Sequence, residues 1–191
     1  ALSTARRLQA ARAMPTPTLL LINPNTSAHV TELLARHAAA LAPAGTRLHA
    51  VTAPFGAAYI ASEESAATAN QAVPAAWAAH LAAHGTPHAV LVACFGDPGV
   101  AALRAITKVP VLGLAEVAMR EADALAAATP GGRYAIVTGG AAWGPMLQAL
   151  AGRLGLAGRL SGVVTVERTG AELLATRWPR RPCCSGPAGR R

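Results

Sequence analysis

The sequence predicts an α/β fold built on a mainly parallel sheet, and three observations carry that reading. Short, fully apolar runs alternate with longer alanine-rich stretches whose apolar residues recur at helical spacing. The connections between them are short, as in βα units, and hold the glycine, proline and asparagine that turn a chain. Three of the apolar runs end in polar or nucleophilic residues, at Asn23 to Ser27, Cys94 to Gly96 and Thr138 to Gly140. That puts chemistry at the carboxyl edges of strands, where open α/β sheets bind their ligands. At 191 residues, 52% hydrophobic and 4% aromatic, the chain can bury one full core or two small lobes.

Each element follows from local pattern. Thr18 to Ile22 is apolar enough for a buried central strand, and Asn23-Pro-Asn-Thr-Ser27 turns the chain after it. Thr26 or Ser27 can cap the next helix, which carries Val30, Leu33, Leu34, His37 and Leu41 at helical spacing. Thr46 to Thr52 alternates as a second strand, and Ala53-Pro-Phe-Gly56 breaks it. Tyr59 to His84 is a long helical stretch with Ser62-Glu-Glu-Ser65 at its start and Trp77 and Leu81 marking a face. Ala89 to Ala93 is the third strand, delivering Cys94 to a sharp Gly and Pro turn. Val100 to Ile106 reads as a short helix, Val109 to Leu114 as a buried strand, and a helix holding Glu116, Met119 and Leu125 runs to about Ala128. Tyr134 to Val137 is the next strand, opening through Thr138-Gly-Gly140 into a helix from Trp143 to Leu154. Leu160 to Val166 is a last clear strand, and Thr169 to Leu174 starts a helix.

The formal net charge of +8 sits at the two ends. Arg6, Arg7 and Arg12 precede Met14, and Arg177, Arg180, Arg181, Arg190 and Arg191 lie in the final stretch. The body between them carries nine basic and nine acidic residues, leaving no basic stripe for nucleic acid. No apolar run approaches the ~20 residues of a membrane span, and residues 1–13 lack the apolar centre of a secretory signal. Met14 is the natural beginning, with 1–13 a disordered extension. Three cysteines, two of them adjacent, do not make a disulfide framework, so a reduced, cytoplasmic protein is expected.

Cys94 is the sharpest functional candidate. A free cysteine after a strand is ordinarily a packing residue, and what lifts Cys94 is its company. Asn23, Asn25 and Thr26 at one strand end, and Thr138 and Gly139 at another, offer hydroxyls, carboxamides and bare backbone that can cradle an anion or a polarised carbonyl. Phe95 and Gly96 flank the thiol itself. His80, His84 and His88 have a fourfold spacing that suggests a metal, but Gly85 and Pro87 break the helix between the second and third. A helix end is expected there, and no metal is assigned. A nucleotide-binding reading lacks the GxGxxG that should follow its first strand.

The segments INPNTS from Ile22, YIAS from Tyr59, VACFGDPG from Val92, PVLGLAEVA from Pro110 and IVTGGAAWGPML from Ile136 together resemble hydantoin racemase, a branch of the aspartate/glutamate/hydantoin racemase superfamily close to the allantoin racemases. The likeness spans roughly Pro17 to Leu174 in the family's order. It implies two similar three-layer α/β lobes, 14–108 and 109–176, with the active site in the cleft between them. It also implies a racemase of 5-substituted hydantoins that needs no cofactor. In such a reaction one thiolate removes the proton from the stereogenic carbon and a second thiol donates one from the opposite face. Only the thiolate is a base, so a thiol near ~8.5 must be lowered, which turn amides and a helix N-terminus after Cys94 are expected to do. Asn23, Asn25, Thr26, Phe95, Gly96, Thr138 and Gly139 then hold the substrate, a hydantoin-like cyclic ureide, where enolate charge develops. A homo-oligomer is the default assembly.

The C-terminus departs from the family pattern. The family's second cysteine sits at the tip of an apolar strand, whereas Cys183 and Cys184 lie in an Arg- and Pro-rich tail, residues 177–191, with no strand before them. Pro182-Cys-Cys-Ser-Gly186 is encoded CCN TGY TGY TCN GGN, and read two bases later this permits Val-Leu-Leu-Gly, the missing strand and its glycine. The tail therefore reads as a frameshift product beginning between about Leu174 and Arg181. The alternatives are another enzyme of the superfamily, such as an allantoin or amino-acid racemase or a one-cysteine decarboxylase, and a non-catalytic paralogue that only binds a small molecule.

Overall fold

The computed structural model describes residues 16–168 and residue 172. The extension 1–13, the tail 177–191 with Cys183 and Cys184, and nearly all of the helix expected from Thr169 lie outside the described residues.

The first sheet has four parallel strands, β1 (Thr18–Asn23), β2 (Arg47–Thr52), β3 (Ala89–Val92) and β4 (Val111–Gly113), in the order β2-β1-β3-β4. Its crossovers are α1 (Ala28–Leu41), α2 (Glu63–His84) and α3 (Val100–Ile106). Ser27 is the residue that caps α1, its Oγ accepting from Val30 N, and Ser62 and Ser65 close a reciprocal capping box on α2. Alternation along the strands sends Leu20, Ile22, Val90 and Val92 to one face, where they pack on Val73, Ala76 and Trp77 of α2 and Val100 and Leu103 of α3. Leu21 points the opposite way and is equally buried. Continuous apolar runs such as Leu19 to Ile22 thus mark strands buried on both faces.

The chain then runs through α4 (Leu114–Ala127) to a second parallel sheet of β5 (Tyr134–Gly139) and β6 (Leu160–Val166), joined by α5 (Trp143–Arg153). Ile136, Trp143, Leu147 and Leu150 form a second core with Met119 of α4 and with Ile60 and Ala69. The change of sheet falls between β4 and β5. Val111–Gly113 pairs with β3 and so joins the first sheet: a strand goes where its backbone finds partners, and β4 finds them on β3. Among the described residues no helix is long and apolar enough to cross a membrane.

Candidate active site

In the order β2-β1-β3-β4 the chain leaves β1 to one side and later returns on the other. The crevice beyond the carboxyl ends of β1 and β3 is therefore a topological switch point, the preferred ligand position in such sheets. The loops at that point are Asn23 to Ser27 and Cys94 to Gly99. They are held side by side by the ladder, with Ala93 N donating to Ile22 O at 2.9 Å.

The first loop is built around Asn23. This side chain is fully buried, and its Nδ2 donates to Asn25 Oδ1, Thr31 Oγ1 and Ser27 O at 2.8, 3.0 and 3.1 Å. Its Oδ1 accepts from Asn25 N at 3.2 Å. Asn23, expected as a substrate contact, has every polar atom committed to the loop, because a buried carboxamide must be satisfied internally. Asn25 Oδ1 also accepts from Ser27 N, while its Nδ2 and the Thr26 hydroxyl have no partner among the described residues. Those two donors remain available.

The second loop carries the thiol. Cys94 is half-buried and packs with Phe95 against the core that includes Ile136 and Met119. Gly96 N and Asp97 N both donate to Cys94 O, at 2.9 and 3.1 Å. The turn amides expected to stabilise a thiolate are thus spent on the cysteine's own carbonyl. Burial, with the nearby Asp97 carboxylate adding to it, pushes the Cys94 thiol from an ordinary 9.0 up to about 12. The expected lowering is not found, and the resting thiol is protonated at neutral pH.

Asp97 explains the loop's shape, and its role was not read from the sequence. It is the one non-glycine residue with positive φ among the described residues, at 53°. In that conformation its Oδ1 accepts from Ala115 N at 2.8 Å and its Oδ2 from Glu116 N at 2.7 Å, so it caps α4 from a distant loop. Burial raises the Asp97 carboxyl above its usual value, and these two amides pull against that. A signal was available in the sequence: Gly113-Leu-Ala opens a helix with no local Ser, Thr, Asp or Asn to cap it, so a cap had to come from elsewhere. Gly113 is needed as glycine, since a Cβ there would collide with the Asp97 carboxylate.

The remaining loop glycines are packing devices. A Cβ on Gly96 would run into the Trp143 ring, so glycine there lets α5 close against the thiol loop. Gly99, at φ 80°, lies against Val73 and donates its N–H to Asn70 Oδ1 at 2.6 Å. Beside this loop opens a cavity of about 530 Å³ lined by Asn70, Asp97, Arg104, Glu116, Trp143 and Met146 among others, and Cys94 is not in its wall. Arg104 bridges α3 to α4 there, pairing with Glu116 at 2.9 Å and donating to Val111 O. Burial opposes ionisation of Glu116, but hydrogen bonds from Arg120 and Arg104 hold its carboxyl below the usual range.

Phe95 lines a smaller cavity of about 220 Å³ with Met119, Tyr134, Ile136 and Val137, so the residue after the thiol reaches the second sheet. Thr138 and Gly139 end β5, paired with Thr165 and Val166, and Gly140 adopts φ 85° before α5. The structure thus brings Asn25, Thr26 and Cys94 to one switch point and leaves Thr138 and Gly139 on the neighbouring sheet. Cys183 and Cys184 lie outside the described residues.

Comparison with known proteins adds to this geometry. The family described as Asp/Glu/Hydantoin racemase matches residues 19–181, ending before Cys183. A hydantoin racemase of Paenarthrobacter aurescens is 35% identical over 111 residues, covering 57% of this chain and 46% of that protein. Among solved structures, an allantoin racemase from Klebsiella pneumoniae superposes with a TM-score of 0.74 at 28% identity, covering 83% of this chain and 62% of that one. An allantoin racemase from Pseudomonas fluorescens gives 0.71 at 27% identity, covering 83% and 64%. The chain spans about half the length of the curated relative and under two thirds of the solved ones.

Proposed function

Because the chain belongs to the Asp/Glu/hydantoin racemase family, we propose that it transfers a proton at the stereogenic carbon of a hydantoin-type ring, with the Cys94 thiol serving one face. The observation that carries this is the position of Cys94 at the β1/β3 switch point beside unpaired donors on Asn25 and Thr26. The ring carbon lies next to a carbonyl, so removing its proton makes an enolate, and Asn25 Nδ2 and Thr26 Oγ1 are the groups that can donate to that oxygen. Thr138 is the corresponding donor on the second sheet. Asn23 and Gly96 act at one remove, the first by shaping the donor loop and the second by admitting Trp143.

The raised thiol assigns Cys94 a direction. At neutral pH it rests as S–H, the form that gives a proton to the carbanion, and it becomes the base only for the opposite enantiomer. The carbon–hydrogen bond formed on one face replaces one broken on the other, and the second acid/base has to lie across the ring from Cys94. Cys183 and Cys184 are the thiol candidates for it. No organic cofactor is required, since the adjacent carbonyl already acidifies the carbon.

Two of the similar proteins are allantoin racemases, which favours a specific second substrate. Allantoin is itself a hydantoin carrying a ureido group at that carbon, so the two readings share the ring and differ in the substituent. Single enantiomers of 5-substituted hydantoins and of allantoin, incubated with the chain in D₂O, separate them. Loss of optical rotation with deuterium at the ring carbon is the expected result for one panel. Rotation and exchange no faster than the buffer control on every substrate would overturn the enzymatic reading and leave a binding protein, detectable as ligand-induced protection of Cys94 from alkylation.

A further inference from the structure

Three histidines that the racemase reading does not use meet toward the amino end of the first sheet, away from the Cys94 loop. His49 lies on β2, and His80 and His84 stand one turn apart at the end of α2. Their ring centroids are 5.2 Å (His49–His80), 4.8 Å (His49–His84) and 5.1 Å (His80–His84) apart. One ring nitrogen from each lies within 4.8 Å of the other two.

The grouping has a polar flaw that a ligand would repair. His80 is only 3% exposed, and its Nδ1 is a buried nitrogen with no hydrogen-bond partner among the described residues. Buried polar atoms are almost always paired, so an orphan inside a cluster of lone-pair donors calls for an acceptor of lone pairs. Burial, with His49 and His84 adding to it, holds His80 below its usual value.

We propose that His49, His80 and His84 bind a borderline divalent metal ion such as Zn²⁺, clipping β2 to α2, with water in the fourth position. Zinc–nitrogen bonds of about 2.0–2.1 Å set tetrahedral ligand nitrogens about 3.3 Å apart. Closing to that spacing draws together ring nitrogens that already lie within 4.8 Å of one another, and His84 is exposed at the end of α2. The fourfold spacing in the sequence pointed to His88 as the third member, but His88 Nδ1 accepts from Thr18 N at 3.0 Å. The third imidazole comes instead from β2, which the fold lays beside the end of α2.

The test uses the full chain with Cys94, Cys183 and Cys184 changed to serine, so that no thiol competes. Calorimetric titration with ZnCl₂ is expected to show one equivalent bound. Metal at a hundredfold excess over Kd should raise Tm by about 5 °C or more. His49→Gln and His84→Gln, at positions that are not fully buried, should each weaken binding by more than about tenfold while circular dichroism stays unchanged. The proposal is overturned by an absence of saturable binding in the serine background, or by either glutamine variant binding the metal as tightly as its His-containing parent.

Discussion

The two sheets are made from the same βα unit but are buried to different degrees. In the first, four strands carry helices on both faces, and Leu20, Leu21 and Ile22 are all essentially inaccessible. In the second, two strands bury Ile136 and Val163 on one face, while Val137 and Val164, paired across the ladder, turn the other face outward at 71% and 56% exposure. A parallel sheet ordinarily hides both faces. The difference is one of burial: the loops of Cys94, Asn25 and Thr26 leave a sheet covered on both faces, and Thr138 leaves a sheet with one face exposed. Cys94 joins them through Phe95, whose ring faces β5.

The largest effect should come from the thiol at the first sheet. Cys94→Ala is expected to lower deuterium exchange at the substrate carbon by about 10²–10⁴-fold, the range for a lost general acid or base. Thr26→Val, at the same sheet, should cost about 10²-fold through a lost donor to the developing enolate. Thr138→Val measures whether the second sheet contributes comparably. If its exchange rate equals that of the parent chain, the catalytic donors belong to the first sheet alone.

Stability divides the sheets next. Ile22→Ala empties a fully buried site and should cost about 2–5 kcal/mol, whereas Val137→Ala, on the outward face of β5, should stay within about 0.5 kcal/mol. Urea denaturation of both variants checks the contrast. Equal losses would mean that the outward face of the second sheet is covered in solution.

Asp97 tests the link between the thiol loop and α4. Asp97→Ala removes both acceptors that cap α4, a loss of about 1 kcal/mol, and also removes a negative neighbour of the thiol. The thiolate absorbance at 240 nm should then appear at a lower pH than in the parent chain. An unchanged titration would leave burial as the sole cause of the raised thiol.

The last effect is on stability against pH. The Cys94 thiol is held at about 12 in the folded chain against an ordinary 9.0, so above pH 9 the unfolded chain loses this proton first. Stability from this group is fully present below pH 9 and falls as the pH rises to about 12. Cys94→Ala should flatten that slope in thermal melts taken across this interval.

Much of this was legible in the residues. Apolar runs bounded by turn residues located β1, β3, β4, β5 and β6, and the alternation of Thr46 to Thr52 located β2. The turn chemistry of Asn23-Pro-Asn-Thr-Ser27 and Cys94-Phe-Gly-Asp-Pro-Gly99 located the loops of the candidate site. Motif position also singled out Cys94, because a nucleophile at a strand's carboxyl edge is a local feature.

What the sequence could not show depends on residues far apart in the chain. Linear order put Val111–Gly113 with the later strands, and only backbone pairing with β3 placed it in the first sheet. The Cys94 thiol is raised by its burial and by the Asp97 carboxylate, which folds back to cap α4, an arrangement set by a left-handed residue and a helix nearly twenty positions away. His49 joins His80 and His84 only because the fold lays β2 beside the end of α2. Sequence determines which groups are available, through composition and local periodicity. Tertiary packing decides which of them meet and how dry they are, and that sets their chemistry.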